Sequence, residues 1–332
     1  MTTVLTLGLL IALFAVLSAE FVNGWTDAPN AIATVISTGV MTPRQAIVMA
    51  VLFNTIGAMA GTAVAATVGS GIVVPSVLTV HTITATMVSI IAWGIMAARF
   101  GIPVSKSHAL LAGLAGAGFA GGGLEALQWT GWQKVGIGLA ASLLFGFGGA
   151  FALGRLITKV AANAPPTRAK RTFDRLQMGS AAFMAFNHGL NDGQKFMGVF
   201  AMTLVAGKAI PKFQISWWVI LICALTMGIG TSFGGWRIIQ TVGAKMTRLT
   251  SWQGFAATMA ASSTIAVASN YGIPLSTTHT ITSAVVGVGA SRRISDVRWG
   301  VLRKIVLAWF ATFPACALIA YTAATIVRQF GG

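Results

Sequence analysis

Acidic residues are nearly absent from this chain. Its 332 residues hold six Asp and Glu against 22 Lys and Arg, a net charge of +16. Charged residues make up 8% of the whole, where a soluble domain carries about 25%, so a soluble globular fold is excluded. Cysteine occurs twice, as Cys223 and Cys316, each inside an apolar stretch. That excludes a disulfide framework and a cysteine-based metal site. The four histidines, His81, His108, His188 and His279, lack the tight spacing of metal ligands, so a zinc enzyme is not expected. No Lys or Arg falls in the first 22 residues; without a signal peptide's basic leader, that stretch reads as a first membrane span.

What is present is apolar. Hydrophobic residues reach 55% and the mean hydropathy is +0.80. Apolar runs at 4–22, 45–69, 77–98, 101–120 and 132–156 are long enough to cross a bilayer, and lipid forces them to be helices because an open strand edge would stay unsatisfied there. A polar, basic segment follows at 158–177, with Lys159, Arg168, Lys170, Arg171 and Arg175. Five more runs come after it, near 178–206, 215–233, 252–270, 272–290 and 305–327. Five spans is an odd number, so two such halves lie upside down relative to each other.

Loop charge agrees with inversion. The loop at 70–76 has no Lys or Arg, whereas its counterpart at 234–250 has Arg237, Lys245 and Arg248. Likewise 121–131 offers only Glu125, while 291–304 carries Arg292, Arg293, Arg298, Arg303 and Lys304. Lys208 and Lys212 run against this pattern. The fold expected is an all-α polytopic membrane protein of two inverted five-span repeats with broken helices and re-entrant elements. Residues 1–157 form the first repeat, 158–177 a basic cytoplasmic linker and 178–332 the second repeat. Both termini are expected outside the cytoplasm. The positive excess reads as basic cytoplasmic loops rather than as a nucleic-acid surface.

Two motifs recur. Asn23-Gly24-Trp25-Thr26-Asp27-Ala28-Pro29-Asn30 aligns with His188-Gly189-Leu190-Asn191-Asp192-Gly193-Gln194-Lys195. Gly101-Ile102-Pro103-Val104-Ser105-Lys106-Ser107-His108 aligns with Gly272-Ile273-Pro274-Leu275-Ser276-Thr277-Thr278-His279, five positions of eight being identical. An intramembrane carboxylate needs a cation or a proton, so Asp27 and Asp192, with Asn30 and Asn191, are the candidate coupling-cation residues. Gly24, Pro29, Gly189 and Gly193 are expected to break the helices there and free carbonyls. In the second motif a proline followed by hydroxyl residues reads as a helix start, whose free N–H groups attract an anion. Ser105, Lys106, Ser107, Ser276, Thr277 and Thr278 are therefore the candidate anion-binding residues. Lys106 has a competing reading as a side chain reaching from a span end to the interface. Glu20, Asn23, His108, His188, Lys195 and His279 stand beside these sets as further candidates. An intramembrane salt bridge between an acid and Lys195 is the plain alternative to a cation site.

Taken together, the four motifs resemble the inorganic phosphate transporter (PiT) family, whose signature is a duplicated Asn-Gly-x-x-Asp or Gly-Ala-Asn-Asp element. The resemblance extends to Gly234-Gly235-Trp236-Arg237-Ile238-Ile239 and to the run from Gly287 to Arg293, and so covers nearly the whole chain. It implies a transporter, not an enzyme, that moves phosphate with Na⁺ or H⁺ between inverted repeats. The Ser/Thr clusters would hold the anion; Asp27, Asn30, Asn191 and Asp192 would hold Na⁺ or relay the proton. Thr26, Asn54 and Lys106 depart from the family pattern. The partners expected are phosphate, with sulfate as the alternative, H⁺ or Na⁺, membrane lipid, and a second copy in a homodimer. No cofactor is expected beyond a bound Na⁺, and the expected location is a bacterial inner (plasma) membrane.

Overall fold

The structure is a computed structural model and describes residues 6–330. The first two residues of the 4–22 span, and both chain termini, lie outside the described residues. Fourteen α-helices are described and no β-strand. In the first repeat they are α1 Leu7–Asp27, α2 Pro29–Ser37, α3 Pro43–Met59, α4 Ala63–Gly71, α5 Val80–Phe100, α6 Lys106–Gly122 and α7 Trp129–Val160. The second repeat has α8 Pro166–His188, α9 Gln194–Ala206, α10 Trp217–Ser232, α11 Trp236–Gln240, α12 Ser251–Asn270, α13 Thr277–Arg292 and α14 Trp299–Phe330. The helices of one repeat match those of the other in order, so each repeat has five helical units: α1–α2 with α8–α9, α3–α4 with α10–α11, then α5 with α12, α6 with α13 and α7 with α14. Judged by length and hydropathy alone, five helices qualify as spans, or seven if each bent pair counts as one. The shortfall falls on α8 to α9, whose first half carries the exposed Arg168, Lys170, Arg171 and Arg175, and on α12 and α13, where buried hydroxyl residues such as Ser262 and Thr280 take the place of apolar ones.

Hydroxyl residues start many of these helices. Thr42 with Gln45 and Thr79 with Thr82 form capping boxes, and Ser105 and Ser276 cap α6 and α13. Sharp bends occur between α3 and α4, at 71°, and between α10 and α11, at 65°. The second bend is built on Gly234 and Gly235, whose φ angles of 80° and 51° suit glycine.

The segment at 158–177 is mostly helical. α7 runs to Val160 and α8 begins at Pro166, where a proline costs no hydrogen bond, leaving five residues between them.

The repeats clasp each other. α7 packs on α13 and α14 packs on α6, so each long closing helix supports the motif helix of the other repeat. Gly116 and Gly287 make this possible: a Cβ at Gly116 would overlap the carbonyl of Ala317, and one at Gly287 the carbonyl of Phe147. Hairpins α5–α6 and α12–α13 bring their tips, 101–105 and 272–276, into the interior against the middle of the α1–α2 and α8–α9 helices. That junction gathers the polar residues.

Candidate functional site

The first motif does not break its helix as expected. Ala28 keeps right-handed helical angles (φ −45°, ψ −40°), α2 resumes at Pro29, and residues 7–37 form one span of 31 residues. In the second repeat a single π turn, Gly189–Gly193, connects α8 to α9 without interruption. The physical reason lies in packing. A Cβ at Gly24 would overlap the Met227 carbonyl of α10 and one at Gly189 the Asn54 carbonyl of α3, so these glycines permit close helix crossings instead of ending helices. Pro29 stands at the first position of a helix, where its missing N–H is harmless.

Both aspartates are buried and each carries an ammonium. Asp27 Oδ1 accepts from Lys106 Nζ at 3.1 Å. Asp192 Oδ1 accepts from Lys195 Nζ at 2.5 Å, and its Oδ2 accepts from the Thr277 hydroxyl at 2.8 Å and lies 3.3 Å from His188 Nε2. Lys106 and Lys195 are 2% and 1% exposed. The interfacial reading of Lys106 is thereby corrected: its side chain turns inward, because the carboxylate inside the protein offers it a partner that the apolar flank of α5 does not. The plain alternative of a salt bridge at Asp192 is what the structure contains.

The two hydroxyl clusters meet across the repeats. Ser107 Oγ donates to the Leu275 carbonyl at 3.0 Å, and Asn30 Nδ2 donates to Thr277 Oγ1 at 3.3 Å and Thr278 Oγ1 at 3.1 Å. Thr278 reaches Asp27 Oδ2 at 3.4 Å. The rings of His108 and His279 touch edge to face with centroids 4.6 Å apart, which sets the starts of α6 and α13 side by side. Ser105 and Ser276 are used within their own helices, accepting from the N–H of His108 and His279 at 3.2 Å each. Gly101 and Gly272, at φ 67° and 65°, turn the chain into both tips.

Other candidates fall at different distances from this centre. Asn191 turns away, donating to Ser269 of α12 at 2.8 Å, so it does not join Asp27, Asn30 and Asp192. Asn23 donates to Glu20 Oε2 at 3.2 Å, and Glu20 is wholly buried on α1, one turn before Asn23. His188 Nδ1 pairs with Asn54 Oδ1 at 3.1 Å, and Asn54 donates to Thr231 at 3.1 Å, a link from the site into α3 and α10. The sequence reading noted Asn54 only as a departure from the family pattern. It missed the Leu275 carbonyl, which side-chain identity cannot reveal, and Trp309, which stacks on His279 at 3.7 Å and donates to the Pro103 carbonyl. An aromatic residue in an apolar helix carries no signal of such a role.

The oxygens of Asp27 and Asp192 and a nitrogen of His188 lie within 4.8 Å of one another. A hard cation could use such a group; in this structure each of the two carboxylates is already paired with an ammonium. Chemically the centre offers two positive charges, three hydroxyls and the first N–H groups of two helices facing acceptors on two carboxylates.

The chain matches the profile described as "Phosphate transporter family" twice, over residues 23–170 and 158–320. It is 42% identical over 333 residues to the "Probable low-affinity inorganic phosphate transporter" of Rhizobium meliloti (strain 1021), spanning 98% of this chain and 100% of that protein. It is 37% identical to the protein of the same description from Bacillus subtilis (strain 168), covering 99% of both. A solved structure described as "The sodium-dependent phosphate transporter" shares the fold with a TM-score of 0.88 at 24% identity, over 98% of this chain and 100% of that one.

Proposed function

Because the chain belongs to the phosphate transporter family, we propose that it is a secondary active transporter of inorganic phosphate, coupled to an H⁺ or Na⁺ gradient, with the anion bound between the two repeats. One observation carries the reading: hydroxyl-bearing helix starts from opposite repeats meet at two Asp–Lys pairs that are at most 3% exposed. An anion entering there would be attracted by Lys106 and Lys195, each held on its aspartate, and would take donors from Ser107, Thr277, Thr278 and the first turns of α6 and α13. In this reading Ser105 and Ser276 aim the helix starts instead of touching the anion.

The carboxylates argue for phosphate over sulfate. Near neutral pH phosphate keeps at least one proton and needs an acceptor for it, whereas sulfate has none to give. Asp27 and Asp192 stand beside the hydroxyl cluster and supply that acceptor. The host membrane is the inner (plasma) membrane of a bacterium, with the basic segments 158–177 and 291–304 in the cytoplasm and the chain ends opposite. The test is uptake of radiolabelled phosphate and sulfate into proteoliposomes under separately imposed Na⁺ and proton gradients. Phosphate should accumulate above equilibrium in preference to sulfate; accumulation of neither anion under any gradient would reject the assignment.

A further inference from the structure

Lys106 and Lys195 break the internal repeat. The residue aligned with Lys106 is Thr277, and the residue aligned with Lys195 is Asn30, so the two lysines stand at non-equivalent places in their motifs. Their outcome is nevertheless the same: one ammonium on the aspartate of each repeat. Lysines at two different motif positions thus meet the same electrostatic need.

The cage around Lys195 says what that need is. An ammonium has three donors, and Lys195 directs all of them to oxygen: Asp192 Oδ1 at 2.5 Å, Ser107 Oγ at 2.5 Å and the Leu275 carbonyl at 2.7 Å. A carboxylate, a hydroxyl and a main-chain carbonyl, converging from both repeats on one positive charge, form the donor set that a small hard cation takes between transporter repeats. Lys106 sits more loosely on Asp27 at 3.1 Å, with the Val104 carbonyl at 3.4 Å. A neutral residue at either place, as Asn30 and Thr277 are in the opposite repeat, would leave the aspartate to find its cation in solution.

Resting on the phosphate-transport reading for its functional consequence, we infer that Lys106 and Lys195 are tethered counter-cations that fill the cation positions at Asp27 and Asp192. Na⁺ is then neither bound there nor needed, and a proton gradient alone drives accumulation. Replacing each lysine by its repeat partner, Lys106→Thr or Lys195→Asn, should open a site and create a response to Na⁺ that the parent protein lacks.

Two readouts separate this inference from the transport assignment. The first is binding: equilibrium uptake of ²²Na⁺ by the purified full chain, and its melting temperature as Na⁺ replaces choline at constant ionic strength. The wild-type protein should show neither saturable ²²Na⁺ binding nor a Na⁺-dependent rise in melting temperature. Lys195→Asn should show both, since a ligand binding only the folded state raises stability as its concentration passes Kd. The double variant Asp192→Asn/Lys195→Asn, which lacks both charges, should lose the response again. The second readout is phosphate uptake under a proton gradient. Wild-type rates in Na⁺ and in choline should agree within about twofold, while Lys195→Asn should fall to about a tenth in choline and recover severalfold in Na⁺.

Stoichiometric ²²Na⁺ binding by the wild-type protein, or wild-type uptake that requires Na⁺, overturns the inference, and these arms decide it even if the lysine variants do not fold. A folded Lys195→Asn and Lys106→Thr that both ignore Na⁺ overturn it as well. Absence of phosphate accumulation alongside the expected ²²Na⁺ pattern would instead remove the transport assignment and leave the tethered cations in place.

Discussion

Lys106 and Asp27 stand 79 residues apart in sequence and are joined at 3.1 Å in an interior closed to solvent. Removing one partner of such a pair leaves an uncompensated buried charge, at a cost of about 3–5 kcal/mol. Lys106→Gln should therefore lower stability by that order, and adding Asp27→Asn should recover most of the loss. Thermal or denaturant unfolding of the four proteins of this cycle checks it; simply additive losses would mean that the two groups do not interact. A functional prediction belongs to the same scale. Asp27→Asn and Asp192→Asn keep volume but delete the charge, so each should abolish gradient-driven phosphate accumulation while the protein still inserts, as measured by uptake and by detergent-extracted yield. Wild-type accumulation in both variants would reduce the aspartates to structural roles. That these acids matter was legible in the sequence, since a carboxylate in an apolar span stands out. That their partners are lysines was only half legible: Lys195 is three residues from Asp192, but Lys106 meets Asp27 only because the α5–α6 hairpin tip folds back onto α1.

The helical units follow the apolar runs closely, because a span in lipid must satisfy its own backbone whatever surrounds it. Their interruptions do not follow the sequence so simply. Gly24 and Gly189 look like breakers and are crossing points, whereas the sharp bends fall between α3 and α4 and between α10 and α11. Glycine has both uses, and only the neighbouring helix decides between them. The contrast predicts a pattern of substitutions on the motif helices and their supports. Gly116→Ala and Gly287→Ala, whose new methyl groups would meet the carbonyls of Ala317 and Phe147, should each destabilise by about 1–3 kcal/mol. Gly136→Ala on α7, exposed and with nothing near its added carbon, should be neutral or stabilise by about 0.5–1 kcal/mol. Melting temperatures of the three variants test the clasp; equal behaviour would mean that α6–α14 and α7–α13 are not packed this closely.

At the scale of the whole molecule, the inverted repeats fix which loops share a side. α7 holds 32 residues, so it is about 48 Å long and outspans a hydrocarbon core of about 30 Å. The turn at 123–128 and the segment 161–165 must then face opposite sides of the membrane. Single cysteines at Thr167 and Ser295 should label together from the cytoplasmic face, and one at Leu124, 76% exposed, from the other. Cys223 and Cys316 are buried and give little background. Labelling of all three from one face would contradict the inversion.

The sequence by itself determined the class of the molecule, its count of helical units, its duplication and the two motifs that form the centre. Each of those is written locally, in hydropathy, in the odd number of runs and in residues that repeat within one segment. Only the tertiary structure decided what the motif residues do to one another. The Leu275 carbonyl, the pairing of His108 with His279, the turning away of Asn191 and the inward lysines all depend on contacts between segments far apart in the chain. An ammonium in an apolar stretch goes outward to the interface or inward to a carboxylate according to whether a partner lies within reach, and that distance exists only after the repeats have closed on each other.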